Sequence, residues 1–349
     1  MSIELVKPRR LSAGDRIAAV SPSWGGPGAY PGRYAAGKRQ FEAEFGISVI
    51  EMPHTLAPPD WVRANPKARA DDLMAAFADP TIAGIVATIG GDDAIRLLPH
   101  LDLSVIRRNP KAFIGFSDTT GLHLACRAAG LGTFYGPSLM AGFGENGGMH
   151  RLTADGVRRA LFETGPIGVV GRNTEGWTAE RLDWGDPVQQ EQRRVLQLAD
   201  PPRILQGNGR VSGRLLGGCA EVLEMVKGTA WWPPLSAWGG AILFYETSED
   251  APAPGFVRYW LRNFAAQGIL GRLGGLLLAR PDPGGDPTYR ARLEAAIMET
   301  LAEEGRSDLP VLSGLDFGHT SPMLTLPYGV RATIDCEAAS LTITEAGVV

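Results

Sequence analysis

The sequence predicts an α/β protein. An N-terminal parallel sheet covered by helices leads into a smaller C-terminal α/β domain rich in strands. Three observations carry this reading. Short apolar segments at residues 16–21, 47–51, 82–89 and 112–116 alternate with helix-like stretches. These segments are near-continuously apolar rather than alternating, which is the pattern of strands buried on both faces. The strand–helix alternation resumes near residue 204 after a polar interval.

Residues 16–21 form the first strand and run into Pro22-Ser23-Trp24-Gly25-Gly26. Residues 31–45 read as a helix, with Gly37 counting against it because an interior glycine costs about 1 kcal/mol relative to alanine. Residues 47–51 give the second strand. Residues 68–77 give a helix whose apolar face is Leu73, Met74 and Phe77, stopped near Asp79-Pro80. The third strand, 82–89, runs into Gly90-Gly91-Asp92-Asp93. A short helix at 94–98 precedes the strand at 112–116, and a helix over 121–126 follows it. Two loops, Gly90-Gly91-Asp92-Asp93 and Ser117-Asp118, therefore leave the C-terminal ends of parallel strands, the edge where open α/β sheets bind ligands.

From 165 to 202 the chain turns polar, with Trp177, Trp184 and the charged run 189–194, and reads as a linker or covering loop. The expected division is 1–165 for the N-terminal domain, 166–203 for the covering segment and 204–349 for the C-terminal domain. The last contains the glycine-rich stretch 213–218, a helix at 220–227, a strand at 240–246 and a helix at 255–267. A strand at 274–279, a helix at 289–303 and a hairpin of 329–334 with 339–343 complete it.

Composition excludes several function classes. A chain of 349 residues can bury a large core without disulfides or metals. Its net charge of −4 offers no basic footprint for nucleic acid or an anionic membrane. Cys126, Cys219 and Cys336 are widely spaced, form no CxxC pair and suit a reducing compartment. Residues 1–10 lack the apolar core of a signal peptide and no later run would span a bilayer, so a cytoplasmic location is expected. No GxGxxG or P-loop pattern follows a strand, no HExxH occurs, and Asp92-Asp93 has no nearby histidine. No cofactor and no metal are expected.

The chemistry-bearing stretch is Ala112-Phe113-Ile114-Gly115-Phe116-Ser117-Asp118-Thr119-Thr120. A serine between a buried strand and a helix has two readings. It caps the helix, or its hydroxyl is presented on a sharp turn beside free helix amides as a nucleophile. A serine nucleophile needs a base, and the base needs an orienting carboxylate. Of five histidines, His319 stands out in the glycine-containing loop Gly314-Leu315-Asp316-Phe317-Gly318-His319-Thr320-Ser321-Pro322. Glu246 ends an apolar strand, which holds its backbone rigidly, although a solvated strand end reads the same way. The backbone amides of Asp118 and Gly91 are the candidate oxyanion donors.

As a set, these motifs resemble the LD-carboxypeptidases, a family of serine peptidases that includes the microcin C immunity peptidases. The resemblance runs from Ala13-Gly14-Asp15-Arg16-Ile17-Ala18 and Ser21-Pro22-Ser23, through Ile89-Gly90-Gly91, Gly115-Phe116-Ser117-Asp118-Thr119-Thr120 and Phe134-Tyr135-Gly136-Pro137. It ends with Leu216-Gly217-Gly218, Leu243-Phe244-Tyr245-Glu246 and Gly318-His319-Thr320. It implies Ser117 as nucleophile, His319 as base, Glu246 as its orienting carboxylate, and Gly91 and Asp118 as the oxyanion hole. It also implies a homodimer. Glu175-Gly176-Trp177-Thr178-Ala179-Glu180-Arg181-Leu182-Asp183-Trp184 is similar to the microcin C immunity branch, in which an aromatic residue stacks on the substrate nucleobase. Trp177 is the first choice and Trp184 the second, against the plainer role of packing the covering loop. Cys219-Ala220 departs from the family's frequent Asn-Leu. The implied activity is hydrolysis of an amide near a C-terminal carboxylate, or of an aminoacyl-nucleotide amide, with a small peptide or peptidyl-nucleotide as partner. The alternatives are a murein tetrapeptide LD-carboxypeptidase and a catalytically silent binding protein.

Overall fold

Two sheets organise the chain in this computed structural model, which describes residues 4–349. The first three residues of the N-terminal stretch fall outside the described residues. The first sheet contains β1 (Arg16–Val20), β2 (Ser48–Glu51), β3 (Gly84–Ala87), β4 (Ala112–Gly115) and β5 (Phe134–Tyr135), in the order β2-β1-β3-β4-β5 and all parallel. β3 and β4 are buried along their whole length, as their unbroken apolar character requires. The order reverses between β1 and β3, so the loops that follow these two strands diverge and leave a crevice at the carboxyl edge.

The second sheet is mixed. Four parallel strands form its centre: β8 (Arg210–Cys219), β9 (Ile242–Glu246), β10 (Gly275–Ala279) and β11 (Val311–Leu315). Antiparallel strands flank them. On one side lie β13 (Arg331–Asp335), β14 (Ser340–Ile343) and β6 (Gly168–Val169), and on the other β7 (Arg203–Gln206). The two sheets are laced together, because β12 (Leu326–Pro327) leaves the C-terminal part of the chain and pairs with β5 of the first sheet.

The expected helix at 31–45 is present despite its interior glycine, and one local departure from the sequence reading has a physical cause. The helix Pro31–Phe45 runs unbroken through Gly37, where any Cβ would strike the carbonyl of Leu139; packing, not flexibility, selects glycine there. Residues 94–98 belong to a 3-10 turn, Ala94–His100, since Pro99 lacks the N–H an α-helix would use. The glycine-rich stretch 213–218 lies within β8. His123, on the helix Thr120–Ala128, is fully buried against Gly115 O (2.9 Å) and Thr133 Oγ1 (2.9 Å), and burial lowers its pKa to about 3. It is a neutral packing residue. Among the described residues no helix is long and apolar enough to cross a membrane.

Candidate active site

β4 delivers Ser117 to the carboxyl edge of the first sheet. Its φ of 60° places a non-glycine residue in the left-handed region, which persists only where the surroundings fix it. Here the Ser117 amide donates to Tyr135 Oη at 3.1 Å, and Thr120 Oγ1 donates to the Ser117 carbonyl at 2.8 Å. The serine hydroxyl caps neither the following turn nor the helix. Its oxygen lies 3.0 Å from Nε2 of His319 instead.

His319 comes from the loop after β11, and its ring stands edge-on to Phe116 at 5.1 Å. Its Nδ1 lies 2.7 Å from Oε2 of Glu246, the last residue of β9. Glu246 Oε1 accepts from the buried hydroxyl of Tyr135. Tyr135 on the first sheet thus ties the Ser117 backbone to the carboxylate on the second. Glycine at 318 makes room, since a Cβ there would sit 2.5 Å from Glu246 Oε2.

Electrostatics follow from this burial. Desolvation pushes the Glu246 pKa up, partly opposed by His319 and Tyr135. Burial alone would lower His319, but Glu246 first, then Glu249 and Glu221, outweigh it and lift the imidazole to about 9. Glu249 is half-exposed, and its Oε2 lies 3.1 Å from the same Nε2 that faces the serine.

Asp118 is held beside Ser117 by its own carboxylate. Oδ2 accepts from Ser23 Oγ, from Asp93 N at 2.9 Å and from Ala94 N at 2.7 Å. Arg69 reinforces this by pairing with Asp93 at 2.7 Å and donating to the carbonyls of Pro22 and Ser23. The loops after β1 and β3 are thereby fastened to the serine turn. The Asp118 amide, near the start of that short turn, has no intrahelical acceptor. The Gly90-Gly91 loop abuts it: a Cβ on Gly90 would stand 3.0 Å from Ser117 Oγ and 3.5 Å from Asp118 N. Gly91 has φ 143°, a conformation left to glycine.

These groups open onto a cavity of about 460 Å³. Trp24, Tyr30 and Trp184 line it as an edge-to-face series with ring centroids 6.0 Å apart. The Arg33 guanidinium lies 4.8 Å from the Trp184 ring, held by Met140 O, Asn146 and Gln190. Residues 179–184 of the covering segment form the facing wall. The two nominated tryptophans separate here: Trp184 lines the cavity beside Ser117 and Trp177, the first choice, does not. Trp177 pairs with Gln197, lies beneath the Arg280 guanidinium at 5.2 Å and lines a different hollow. It is tied into the covering segment by backbone pairing.

Tyr135, Trp24, Tyr30, Arg33 and Glu249 carry no site role in the sequence reading. Trp24 has the clearest signal in retrospect, because it follows β1 next to the crevice. Glu249, three residues beyond the strand that ends in Glu246, is the next.

Known proteins resemble this chain along nearly its whole length. The LD-carboxypeptidase N-terminal domain matches residues 17–136 and the LD-carboxypeptidase C-terminal domain matches 212–334. The microcin C7 self-immunity protein MccF of Escherichia coli is 31% identical over 96% of this chain and 94% of its own. An MccF-like protein from Streptococcus pneumoniae, solved with AMP, superposes with a TM-score of 0.84 at 32% identity, covering 94% of this chain and 98% of its own. MccF solved with aspartyl sulfamoyl adenosine gives 0.86 at 29% identity, over 99% of this chain and all (100%) of that one.

Proposed function

Because the chain belongs to the LD-carboxypeptidase family, we propose that it is a serine hydrolase that cleaves the amide of an aminoacyl nucleotide, with Ser117, His319 and Glu246 as its triad. The observation that carries this is the unbroken chain Ser117 Oγ to His319 Nε2 (3.0 Å) and His319 Nδ1 to Glu246 Oε2 (2.7 Å), opening into an aromatic-lined cavity. In the reaction Ser117 Oγ attacks the scissile carbonyl while Nε2 takes its proton. Nε2 then returns the proton to the leaving nitrogen. Glu246 fixes the Nδ1–H tautomer and stabilises the imidazolium. The Asp118 and Gly91 amides receive the oxyanion. Water, activated by the same histidine, then releases the acyl group from Ser117.

The aromatic wall supports the nucleotide choice. Trp184, with Arg33 beside its ring and Tyr30 at its edge, offers a stacking surface for a base. Relatives solved with AMP and with aspartyl sulfamoyl adenosine take ligands of this class. The reading includes a homodimer and a cytoplasmic location, to be checked by light scattering and by cell fractionation.

The experiment is hydrolysis of an aminoacyl nucleotide amide and of a murein tetrapeptide, by the native protein and by Ser117→Ala. The native protein should release the amino acid from the first substrate, and Ser117→Ala should lose a factor of about a thousand or more. Faster cleavage of the tetrapeptide would reassign the substrate to murein peptides. Undiminished turnover by Ser117→Ala would remove the triad.

A further inference from the structure

The triad leaves one contact unexplained: a second carboxylate on the catalytic imidazole. A carboxylate only accepts hydrogen bonds, so Nδ1 of His319, 2.7 Å from Glu246 Oε2, carries a proton. Nε2 faces Ser117 Oγ at 3.0 Å and Glu249 Oε2 at 3.1 Å together. In a neutral ring Nε2 would be a bare lone pair, suited to accepting the serine's hydrogen but repelled by a carboxylate oxygen. The Glu249 contact is attractive only with a second proton on the ring. Imidazole is a stronger base than a carboxylate, so that proton resides on Nε2.

The surroundings favour the same state. Glu221, on the helix Ala220–Val226, adds negative charge and pins the loop that carries Glu249, accepting from Ser248 N at 2.9 Å and Ser248 Oγ at 2.6 Å. Tyr135 is neutral and hydrogen-bonded to Glu246. Phe116 and Ser117 bring no charge. Of the nearby arginines, Arg181 pairs with Asp282 at 3.1 Å and reaches only the backbone carbonyl of Glu249, at 3.5 Å, and Arg280 pairs with Asp316 at 3.0 Å. Among the described residues no Lys or Arg pairs with the Glu249 carboxylate, and His319 is its one ionic partner.

We propose that Glu249 is a positioning residue that holds His319 doubly protonated in the free protein, and that it must leave Nε2 before the triad can act. An imidazolium has no lone pair with which to take the serine's proton. The proton on Nε2 has to pass to solvent, or Glu249 has to be drawn away by a substrate entering the cavity it lines. The proposal rests on the triad reading and adds to it the protonation state of the resting site.

The test needs no natural substrate. The second-order rate of labelling by a fluorophosphonate probe is measured from pH 5 to 10 for the native protein, Glu249→Gln and Ser117→Ala, and the His319 ring is titrated by ¹⁵N NMR in the first two. Glu249→Gln should move the acid limb of labelling and the ring's titration midpoint down by about one pH unit. Labelling at pH 7 should rise by up to about tenfold. High salt should narrow the difference, because Glu249 is half-exposed and screened. Coincident limbs and coincident NMR midpoints would overturn the proposal. Labelling of Ser117→Ala would instead remove the triad reading, and the NMR midpoint alone would then decide the Glu249 contact.

Discussion

Gly90→Ala places a methyl group against Ser117. The added Cβ would stand 2.8 Å from Ser117 Cβ and 3.0 Å from Ser117 Oγ. Carbon atoms in contact prefer about 3.5–4.0 Å, so something must shift by about 1 Å. Gly90, unlike Gly91, is not in the positive-φ region, so the backbone itself tolerates alanine. The clash falls on a serine already strained at φ 60°. Overpacking of this kind costs about 1–3 kcal/mol of stability, a fraction of what a domain has. Displacing a reacting atom by about 1 Å costs about a hundredfold in rate. The variant should therefore fold, melt a few degrees early and lose about two orders of magnitude in kcat. The assay is steady-state hydrolysis beside a thermal melt and a rate of fluorophosphonate labelling. Native turnover and labelling in folded Gly90→Ala would refute the argument that this glycine shapes the seat of Ser117.

Other perturbations test other contacts. Tyr135→Phe leaves a buried carboxylate oxygen and the Ser117 amide without their shared partner; kcat should fall about 10- to 100-fold with KM little changed, as read from steady-state kinetics. Trp184→Ala should raise KM for a nucleotide-bearing substrate about 10-fold or more, while Trp177→Ala, outside the cavity, should leave KM in place. His123 gives the pH dependence of stability. Its folded pKa of about 3 lies below the ordinary 6.5, so the unfolded chain binds the extra proton between those values. The His123 contribution is intact above pH 6.5 and is lost toward pH 3, at about 1.4 kcal/mol per pH unit. Urea titrations from pH 7 to 4 should show that slope, reduced by about one proton in His123→Gln.

The first sheet is legible in sequence because strands covered on both faces must be apolar throughout, as Ile85-Val86 and Phe113-Ile114 are. β8 is not, because Gly213, Gly217 and Gly218 break up its apolar run and weaken any strand pattern. In the fold Gly213 and Gly217 sit where a Cβ would run into the backbone of Gly240 and Phe244, a reason visible only once the strands are side by side. β5, β6 and β12 span two residues each, too few for any period to register. Ser117, Glu246 and His319 can each be picked out as a strand end or a loop residue. Their meeting depends on how the two sheets face each other, which local pattern does not encode. Tyr135 is invisible for a related reason: it sits in an apolar motif, and its hydroxyl partners lie 18 and 111 residues away. Trp177 and Trp184 share one covering segment, and only the path of that segment over the cavity separates them.

The central claim is that Ser117 is acylated during turnover. Rapid quench of the native protein with an aminoacyl nucleotide amide, followed by peptide mass spectrometry, measures this directly. The account predicts an acyl mass increment on the peptide containing Ser117 in the native protein, absent in Ser117→Ala. Steady turnover with the acyl group on another residue, or sustained turnover by Ser117→Ala, would contradict it.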